Sequence, residues 1–390
     1  MRGVAPPRPR AAQAGISLVE TLVALVLGLA MVSVAFNLYV SNSAMFRQIE
    51  AMVRLQESAS IAAALLERSI RHAGGTLCRN NLPLTPLLND GSYENYWAPS
   101  KPYGLEGVHA YESEDANRPD LIVGALRLAG DSISITSDNM EDVARVTESA
   151  TYSARSGTRA GTYTFTVDDA SKFPRGTVAL ACDYVRAVLF QVTASTPKTI
   201  TLVSGTTTPS PGNCGVLMRR PSSPGEPIQG LDGDFYRCTV DGEYPYEGQV
   251  YPFGPGSMIG THTFHHWYIG KKASTDACCS LRRRRATYSS AGVGSTDEEI
   301  VENVTDMQIT VLPGLLNTGY PFSYWYVNAK ALFEERFIDS FQRVTAVRIV
   351  LTLTSPEKVG LAAQNKASAA TYTIPINVAI RARMPGVVRR

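Results

Sequence analysis

The sequence predicts an α+β fold: one long N-terminal helix followed by a large, mostly antiparallel β region. Two observations indicate this architecture. An apolar segment over residues 16–40 runs into residues 41–73, which contain neither proline nor glycine. After Gly75 the pattern changes to short runs of alternating or β-branched residues, and turn residues separate these runs.

The composition excludes several classes of protein. Hydrophobic residues make up 44% of the 390 residues and charged residues 18%, so the chain is neither disordered nor a membrane protein with many spans. The 37 basic and 35 acidic residues give a formal net charge of +2. Because bulk nucleic-acid binding needs a large excess of basic residues, we expect no nucleic-acid partner.

The N-terminal residues indicate a leader and a membrane span. Residues 1–15 are basic and contain prolines, which is typical of a cytosolic leader. Residues 16–40 are long enough to cross a ~30 Å hydrocarbon core as a helix, and Glu20 is their one ionisable residue. Because the arginines precede the apolar segment, the positive-inside rule keeps the N-terminus in the cytoplasm and exports the remainder.

The predicted helix continues beyond the apolar segment to residue 75. Oppositely charged residues four apart, Glu50 with Arg54 and Glu67 with Arg71, suit its polar side, and Gly74 and Gly75 are a stop signal. The helix over 16–75 would be roughly 85 Å long at ~1.5 Å per residue. Apolar residues at steps of three and four, with a gap at Gln56, predict one buried stripe in its second half: Met45, Ile49, Met52, Ala59, Ala63, Leu66 and Ile70.

Glu20 is the unusual residue of the apolar segment. A carboxylate there costs on the order of 2.5–3.5 kcal/mol, so it needs either a function or a place at the membrane surface, where it would snorkel to the headgroups. The run from Gly15 to Glu20, after a basic leader and before an apolar helix, resembles the class III signal of type IV prepilins. Ile16 stands where phenylalanine is more usual in that signal.

The prepilin resemblance implies a processing site and an assembly residue. A prepilin peptidase would cleave between Gly15 and Ile16, the new N-terminus would be methylated, and Glu20 would guide assembly. The chemistry is consistent, because cleavage creates an ammonium group in a low-dielectric setting. Glu20 of a neighbouring subunit can neutralise that ammonium, and such an ion pair is worth more there than in water.

Residues 76–390 are expected to form an exported β-rich globular head. In it we expect a polar linker over 136–160, a small self-contained β meander over 161–203 and a long loop over 204–233. A further exposed loop is expected over 273–297. The predicted strands are 121–123, 132–135, 163–167, 178–181, 187–192, 199–203, 262–269, 307–311, 344–354 and 371–380.

The head also resembles the PilW family of minor pilins. The segments that carry this resemblance are 73–78, 119–123, 181–193, 299–308, 344–351 and 380–383. The resemblance implies a pilin-like minor pilin that primes or caps the tip of a type IV pilus, a filament with roles in adhesion and twitching motility. Implied partners are other minor pilins, the major pilin and a tip adhesin. The implied location is the inner membrane with a periplasmic head, and then the pilus.

Six cysteines in an exported chain favour disulfides over thiols: Cys78, Cys182, Cys214, Cys238, Cys278 and Cys279. Fifteen complete pairings of six cysteines exist. We favour Cys182 with Cys214, because they bracket part of the predicted meander and the loop after it. The adjacent Cys278 and Cys279 are expected to pair with different partners or to stay partly unpaired. No C-x-x-C spacing occurs, so a zinc ribbon or a redox pair lacks its basic pattern.

A histidine cluster and an arginine run are both expected to be structural rather than functional. His262, His265 and His266 could supply a metal pair on a helix, but the aromatic, β-branched context favours a strand, on which His262 and His266 lie about 13 Å apart. The run 282–285 of four arginines is expected to be a solvated loop, with an acidic partner or nucleic acid as the alternative. No nucleophile elbow, P-loop, zinc-protease or dinucleotide motif occurs, so we expect no catalytic, metal or cofactor residues and no enzyme activity.

Three functions are consistent with these features. The first is a minor pilin, whose large head is accommodated more easily at a filament tip than in a shaft of repeating subunits. The second is a J-type minor pseudopilin of a type II secretion system, although such proteins are usually shorter. The third is an exported binding module that keeps its helix as a simple tether. This module would need neither Gly15 nor Glu20 at their spacing.

Overall fold

A computed structural model describes residues 17–78, 82, 84–88, 107–113, 130–153, 161–213, 251–271, 279–314, 326–328, 344–359 and 368–381. Within these ranges the chain forms one helix and then strands, so the predicted α+β, pilin-like layout is confirmed. The elements are α1 (Leu18–Arg71), β1 (Leu84–Pro86), β2 (Val108–Tyr111), β3 (Ser132–Arg145), β4 (Thr151–Ser153), β5 (Thr162–Thr166), β6 (Val178–Cys182), β7 (Ala187–Gln191), β8 (Ala194–Thr196), β9 (Thr199–Val203), β10 (Met258–Gly270), β11 (Ser280–Ser289), β12 (Gly292–Glu302), β13 (Val304–Pro313), β14 (Val344–Val359) and β15 (Ser368–Ala379).

The chain divides into two compact units. One comprises residues 1–54 with 357–370, and the other comprises 55–356 with 371–390. The unit that contains most of the strands includes the end of α1 from Leu55 onward. The last turns of the helix therefore belong to the packing of the head.

Strand β10 organises the largest sheet, whose path is β1-β7-β6-β10-β11-β12 with β2 and β3 attached through β10. Along one edge, β10 pairs antiparallel with β3. Along the other, it pairs first with β6, at Met258–Thr261, and then with β11, at His265–Gly270. All pairings of this sheet are antiparallel except that of β1 with β7. One long strand therefore sets the register of three others.

The predicted linker over 136–160 is wrong in its first half. Strand β3 continues through these polar residues to Arg145, with an irregularity opposite the step from Gly260 to His262. Two of its serine side chains bond to residues of β10. Ser134 Oγ lies 2.9 Å from His266 Nδ1, and Ser137 Oγ lies 3.0 Å from Thr263 Oγ1. Cross-strand hydrogen bonds of this kind stabilise the strand in place of an alternating apolar pattern.

The predicted self-contained meander over 161–203 is also wrong in its pairing. Strands β5 and β9 pair with each other in a four-stranded sheet of order β4-β5-β9-β8, whereas β6 and β7 leave to join the large sheet. The physical reason is burial. Strands β5 and β9 alternate between half-buried and buried residues, while every residue of β6 and β7 is buried. A strand that is buried on both faces needs a covering layer on each.

Both covering layers of the β6–β7 hairpin are visible. On one face, Ala179, Ala181, Val188 and Phe190 share a hydrophobic cluster with side chains of β5 and β9, and the rings of Phe165 and Phe190 stack at 5.5 Å. On the other face, Val178, Leu180, Cys182, Ala187 and Leu189 pack with Leu77 and Cys78, which follow α1. The hairpin therefore lies between the small sheet and the exit of the helix.

A third sheet of order β13-β14-β15 completes the strands. It connects to the large sheet through Asp131, which precedes β3. The Asp131 carboxylate accepts hydrogen bonds from the backbone N–H groups of Ile309, at 2.8 Å, and Ser113, at 3.1 Å. Burial raises the pKa of this carboxyl group, and the two backbone hydrogen bonds oppose that shift. Asp131 thus links β13 to the start of β3.

The chain leaves α1 through a close contact of three glycines, Gly74, Gly75 and Gly107, which we call the glycine junction. Gly74 N–H donates to Thr136 O at 2.8 Å, and Gly75 O accepts from Asp138 N–H at 3.3 Å. Gly107 has a φ of +73°, and a Cβ atom there would lie 2.5 Å from Gly74 Cα, so a side chain has no room. These contacts bring the backbone after the helix onto strand β3.

A buried polar group lies beside this junction. Asp138 Oδ1 is 3.1 Å from His262 Nδ1, and Tyr288 donates its hydroxyl proton to the backbone oxygen of His262. Burial raises the pKa of the Asp138 carboxyl, while the hydrogen bond from His262 opposes that shift. His262 therefore belongs to the packing of strands β3, β10 and β11.

The disulfide pairing departs from the expectation. Cys182 is bonded to Cys78, with an S–S distance of 2.11 Å and a Cα–Cα distance of 5.9 Å, so the favoured pair of Cys182 with Cys214 is wrong. Cys214, Cys238 and Cys278 lie outside the described residues. The bridge joins the segment after α1 to the end of β6, because the hairpin packs on that segment. Sequence spacing could not show this contact.

The first part of the predicted long loop is fixed by two buried amides. Asn213 Oδ1 accepts from Gln191 N–H at 2.7 Å, and Asn213 Nδ2 donates to Gln191 O at 2.7 Å. The Gln191 side chain donates to Gly176 O at 2.9 Å and accepts from Gly212 N–H at 2.8 Å. Residues 204–213 are therefore held against β7, and residues 214–233 lie outside the described part of the chain.

The arginine run lies in a strand, which corrects the predicted solvated loop and the described part, 279–297, of the predicted exposed loop; residues 273–278 lie outside the described residues. Strands β11 and β12 form a long antiparallel hairpin. Arg282 is buried and its Nε lies 3.0 Å from Asp297 Oδ2, while Arg283 and Arg285 reach Glu298 at 2.7 and 2.9 Å. The acidic residues that pair with the run are supplied by the neighbouring strand of the same chain.

Removing the cross-link should destabilise the protein. In a variant carrying Cys78→Ala and Cys182→Ala, we expect the free energy of unfolding to fall by about 2–5 kcal/mol, because the unfolded chain is no longer closed into a loop. Chemical denaturation in detergent, followed by tryptophan fluorescence, measures the change. A non-reducing peptide map that joins Cys182 to Cys214 would contradict the pairing.

The arginine hairpin allows a matched comparison. Arg282→Met should lower the free energy of unfolding by about 1.5–3 kcal/mol, because it removes a charge-assisted hydrogen bond between the buried guanidinium and Asp297, which keeps its bond from Tyr268. Arg285→Met should change it by about 1 kcal/mol or less, since that side chain is 50% exposed. The same denaturation experiment compares them, and equal losses in the two variants would argue against a buried pair at Arg282.

Candidate functional site: the exposed apolar helix

The first half of α1 exposes an apolar surface. In the described part of the chain, it is the one helix long and apolar enough to cross a membrane. Its most apolar 18-residue window has a mean hydropathy of 2.3, and none of that window is buried. The large hydrophobic residues from Leu18 to Val53 that face solvent are each more than half exposed. An uninterrupted surface of this kind indicates a membrane or a protein partner.

The local sequence sets where the helix begins. Val19 N–H donates to Ser17 Oγ at 3.3 Å, and Glu20 N–H and Thr21 N–H both donate to Ser17 O. Ser17 is therefore the N-cap, and Glu20 lies three residues later, which is the spacing of a capping box. A carboxylate in the first turn is also favoured by the helix dipole. The Ser-x-x-Glu pattern is thus a sequence signal for this helix start, and it places Glu20 in the first turn.

Polar side chains do not interrupt the apolar surface. Thr21 Oγ1 donates to Leu18 O at 2.8 Å, Asn37 Nδ2 to Ser33 O at 2.9 Å and Ser43 Oγ to Val40 O at 2.9 Å. Each of these groups is satisfied by the backbone of its own helix. The helix therefore suits an environment without water, where every unsatisfied polar group costs several kcal/mol.

The second half of α1 packs on the head through a narrow seam. Its buried residues are Leu55, Ala59, Ala62, Leu66 and Ile70. The predicted stripe is confirmed at Ala59, Leu66 and Ile70. It is wrong at Met45 and Ile49, which are 60% and 53% exposed. The two predicted ion pairs, Glu50 with Arg54 and Glu67 with Arg71, are both present on the polar side.

Two of the three predicted processing and assembly residues lie outside the described residues. Gly15 and Ile16 precede the first described residue, whereas Glu20 is exposed in the first turn of α1. Cleavage and assembly roles for these residues stay predictions. Cys279 is half-buried directly before β11.

The histidines lie on a strand, as predicted. His262 and His266 are buried, and His265 points to the other face of β10, where burial and the guanidinium groups of Arg283 and Arg285 lower its pKa to about 4. Among the described residues, no group of three histidine, cysteine, aspartate or glutamate side chains could hold a metal ion. The histidines instead bond to Asp138 and Ser134 within the sheet.

Comparison with known families matches the C-terminal part of the head. A family model described as PilW, type IV pilus-assembly protein W, matches residues 266–386, from within β10 to beyond β15. No curated protein and no solved structure matches the chain. The match supports a PilW-family pilus protein, and so confirms that resemblance. The matched range begins after α1, so the match says nothing of the apolar helix.

Proposed function

We propose that this chain, a PilW-family pilus protein, is a minor pilin that primes or caps the tip of a type IV pilus together with other minor pilins. The observation that carries the proposal is the exposed apolar surface of α1 on a chain whose C-terminal third matches a pilus-assembly family. A filament built from packed helices buries such surfaces against each other. The proposed work of the protein is therefore packing.

The proposed mechanism begins in the inner membrane. The basic leader 1–15 stays in the cytoplasm, the apolar half of α1 crosses the bilayer and the head lies in the periplasm. A prepilin peptidase cleaves between Gly15 and Ile16 and leaves a new N-terminal ammonium group. The apolar half of the helix is then drawn from lipid into a bundle with other minor pilins and the major pilin.

Glu20 is proposed to set the axial position of a neighbour. In the bundle, its carboxylate faces the N-terminal ammonium of the next subunit, where a low dielectric strengthens the attraction. The pair offsets the cost of keeping a charge in an apolar setting. The position of Glu20 in the first turn of α1, three residues after the N-cap Ser17, fits this role because the carboxylate lies near the end of the helix.

The first test is the mature N-terminus. We expect mass spectrometry of the protein from its own cells to find cleavage between Gly15 and Ile16, with a methylated N-terminal amine. The basic leader and the Gly15-to-Glu20 spacing are the physical reasons. An intact leader, or cleavage after Phe36, would remove the basis for a pilin.

The second test separates the charge of Glu20 from its capping role. Glu20→Gln keeps a side chain suited to a capping box but removes the charge, whereas Glu20→Ala removes both. We expect both variants to insert into the membrane at least as well as wild type and to be about tenfold or more depleted from sheared filaments.

The comparison of the two Glu20 variants decides the mechanism. Depletion of Glu20→Ala alone would mean that Glu20 acts through the helix start. Wild-type incorporation of both variants would mean that it is an interfacial acid. Normal piliation after deletion of the whole chain, with no pilin partner recovered, would favour a tethered binding module instead.

A further inference from the structure

The turn between β6 and β7 exposes two adjacent large hydrophobic residues. Tyr184 is 78% exposed and Val185 52% exposed. Among the described residues, every other large hydrophobic side chain with comparable exposure belongs to α1. Single exposed hydrophobic residues are ordinary on a protein surface, but an isolated pair at the tip of a hairpin forms a distinct patch.

The residue types of this turn are unusual. Tight turns favour glycine, proline, asparagine, aspartate and serine, each for a conformational reason. Asp183 N–H donates to Arg186 O at 3.0 Å, so Tyr184 and Val185 occupy the two central positions. An aromatic and a β-branched residue do nothing for turn formation there. Their presence is better explained by contact with another molecule.

Hydrogen bonds and a cation–π contact also hold the turn in place. Asp183 Oδ1 accepts from Val185 N–H at 2.7 Å and from Arg186 N–H at 2.9 Å, and Asp183 Oδ2 accepts the hydroxyl proton of Tyr251. The guanidinium group of Arg186 is buried and lies 4.3 Å from the centre of the Tyr251 ring. A patch that is held in this way loses little conformational entropy on binding.

The position of the turn is tied to the exit of the helix. Asp183 follows Cys182, which is bonded to Cys78, and Cys78 lies seven residues after the end of α1 at Arg71. In a filament of helices packed side by side, the turn therefore stays beside the segment that follows its own helix. This continuity with the helix favours a filament neighbour as the occupant.

We propose that the turn 183–186, defined here as the Tyr184 turn, docks on an apolar surface of the head of a neighbouring pilin subunit. The inference rests on the proposed function. The two side chains at the tip carry no charge, so the surface that they fit is apolar, with an acceptor at its edge for the Tyr184 hydroxyl. Tyrosine is enriched among the residues that dominate binding energy in protein interfaces.

Site-specific photo-crosslinking tests the contact directly. The full chain carries a photoreactive phenylalanine in place of Tyr184 in its own cells, and the adducts are identified by mass spectrometry. We expect a cross-link to the head of another pilin-type subunit. A lipid adduct, or an adduct with a protein that is not a pilin, would overturn the proposal, as would no adduct at all. The same probe at Ser195, an exposed strand residue, is the control.

Two variants measure the effect on assembly. Tyr184→Ser with Val185→Ser should deplete the full chain from sheared filaments about tenfold or more, because it removes the proposed anchor. Tyr251→Phe keeps both tip residues but removes the hydroxyl that supports Asp183, so we expect a smaller depletion. The midpoint of unfolding of the double variant should stay unchanged, since both residues are exposed.

The outcomes separate this inference from the proposed function. If wild type is processed and present in filaments while the double variant is equally abundant there, the turn is not a contact and the minor-pilin proposal stands. If wild type itself is neither processed nor found in filaments, the minor-pilin proposal fails. A double variant that unfolds earlier than wild type would assign the turn a structural role and overturn the docking proposal.

Discussion

The apolar surface of the first half of α1 cannot remain in water, and the rest of the molecule is arranged around that constraint. Burial of one large aliphatic side chain contributes about 1.5–3 kcal/mol. Summed over the exposed residues from Leu18 onward, this term exceeds the net stability of a typical domain, which is about 5–15 kcal/mol. The helix therefore requires a membrane or a packed protein partner. The head must be joined to the helix firmly enough to stay with it in that environment.

The attachment combines three kinds of contact. Small residues such as Ala59 and Ala62 bring the helix close to the head, and the glycine junction at Gly74 and Gly107 admits direct backbone hydrogen bonding to β3. The Cys78–Cys182 bridge then fixes the segment after the helix to the β6–β7 hairpin. Hydrophobic burial, hydrogen bonding and a covalent bond thus act on the same short segment.

Local patterns predicted the helix, most of the described strands and the pairs Glu50–Arg54 and Glu67–Arg71, because each depends on residues that are close in sequence.

The errors concern partners that are distant in sequence. β6 and β7 were predicted in the wrong sheet, because a run of buried residues does not show which other parts of the chain cover it. Arg282 was expected in solvent because Asp297 lies on another strand. The Cys78–Cys182 pair joins residues 104 positions apart, and its proximity follows from how the hairpin packs. The processing residues of the candidate site carry a local motif, whereas the Tyr184 turn becomes visible once exposure is known.

The central place of β10 also governs the order in which the head is completed. Strand β3 ends at Arg145, but its long partner β10 begins only at Met258. Strand β6 also pairs with β10 and is also synthesised before it. At about 5–20 residues per second, a ribosome needs roughly 5–25 s to synthesise the intervening chain. During that interval the backbone groups of β3 and β6 that pair with β10 have no native neighbour. Unpaired strand edges can pair with other chains, so this interval is the one in which the head is most open to misassembly.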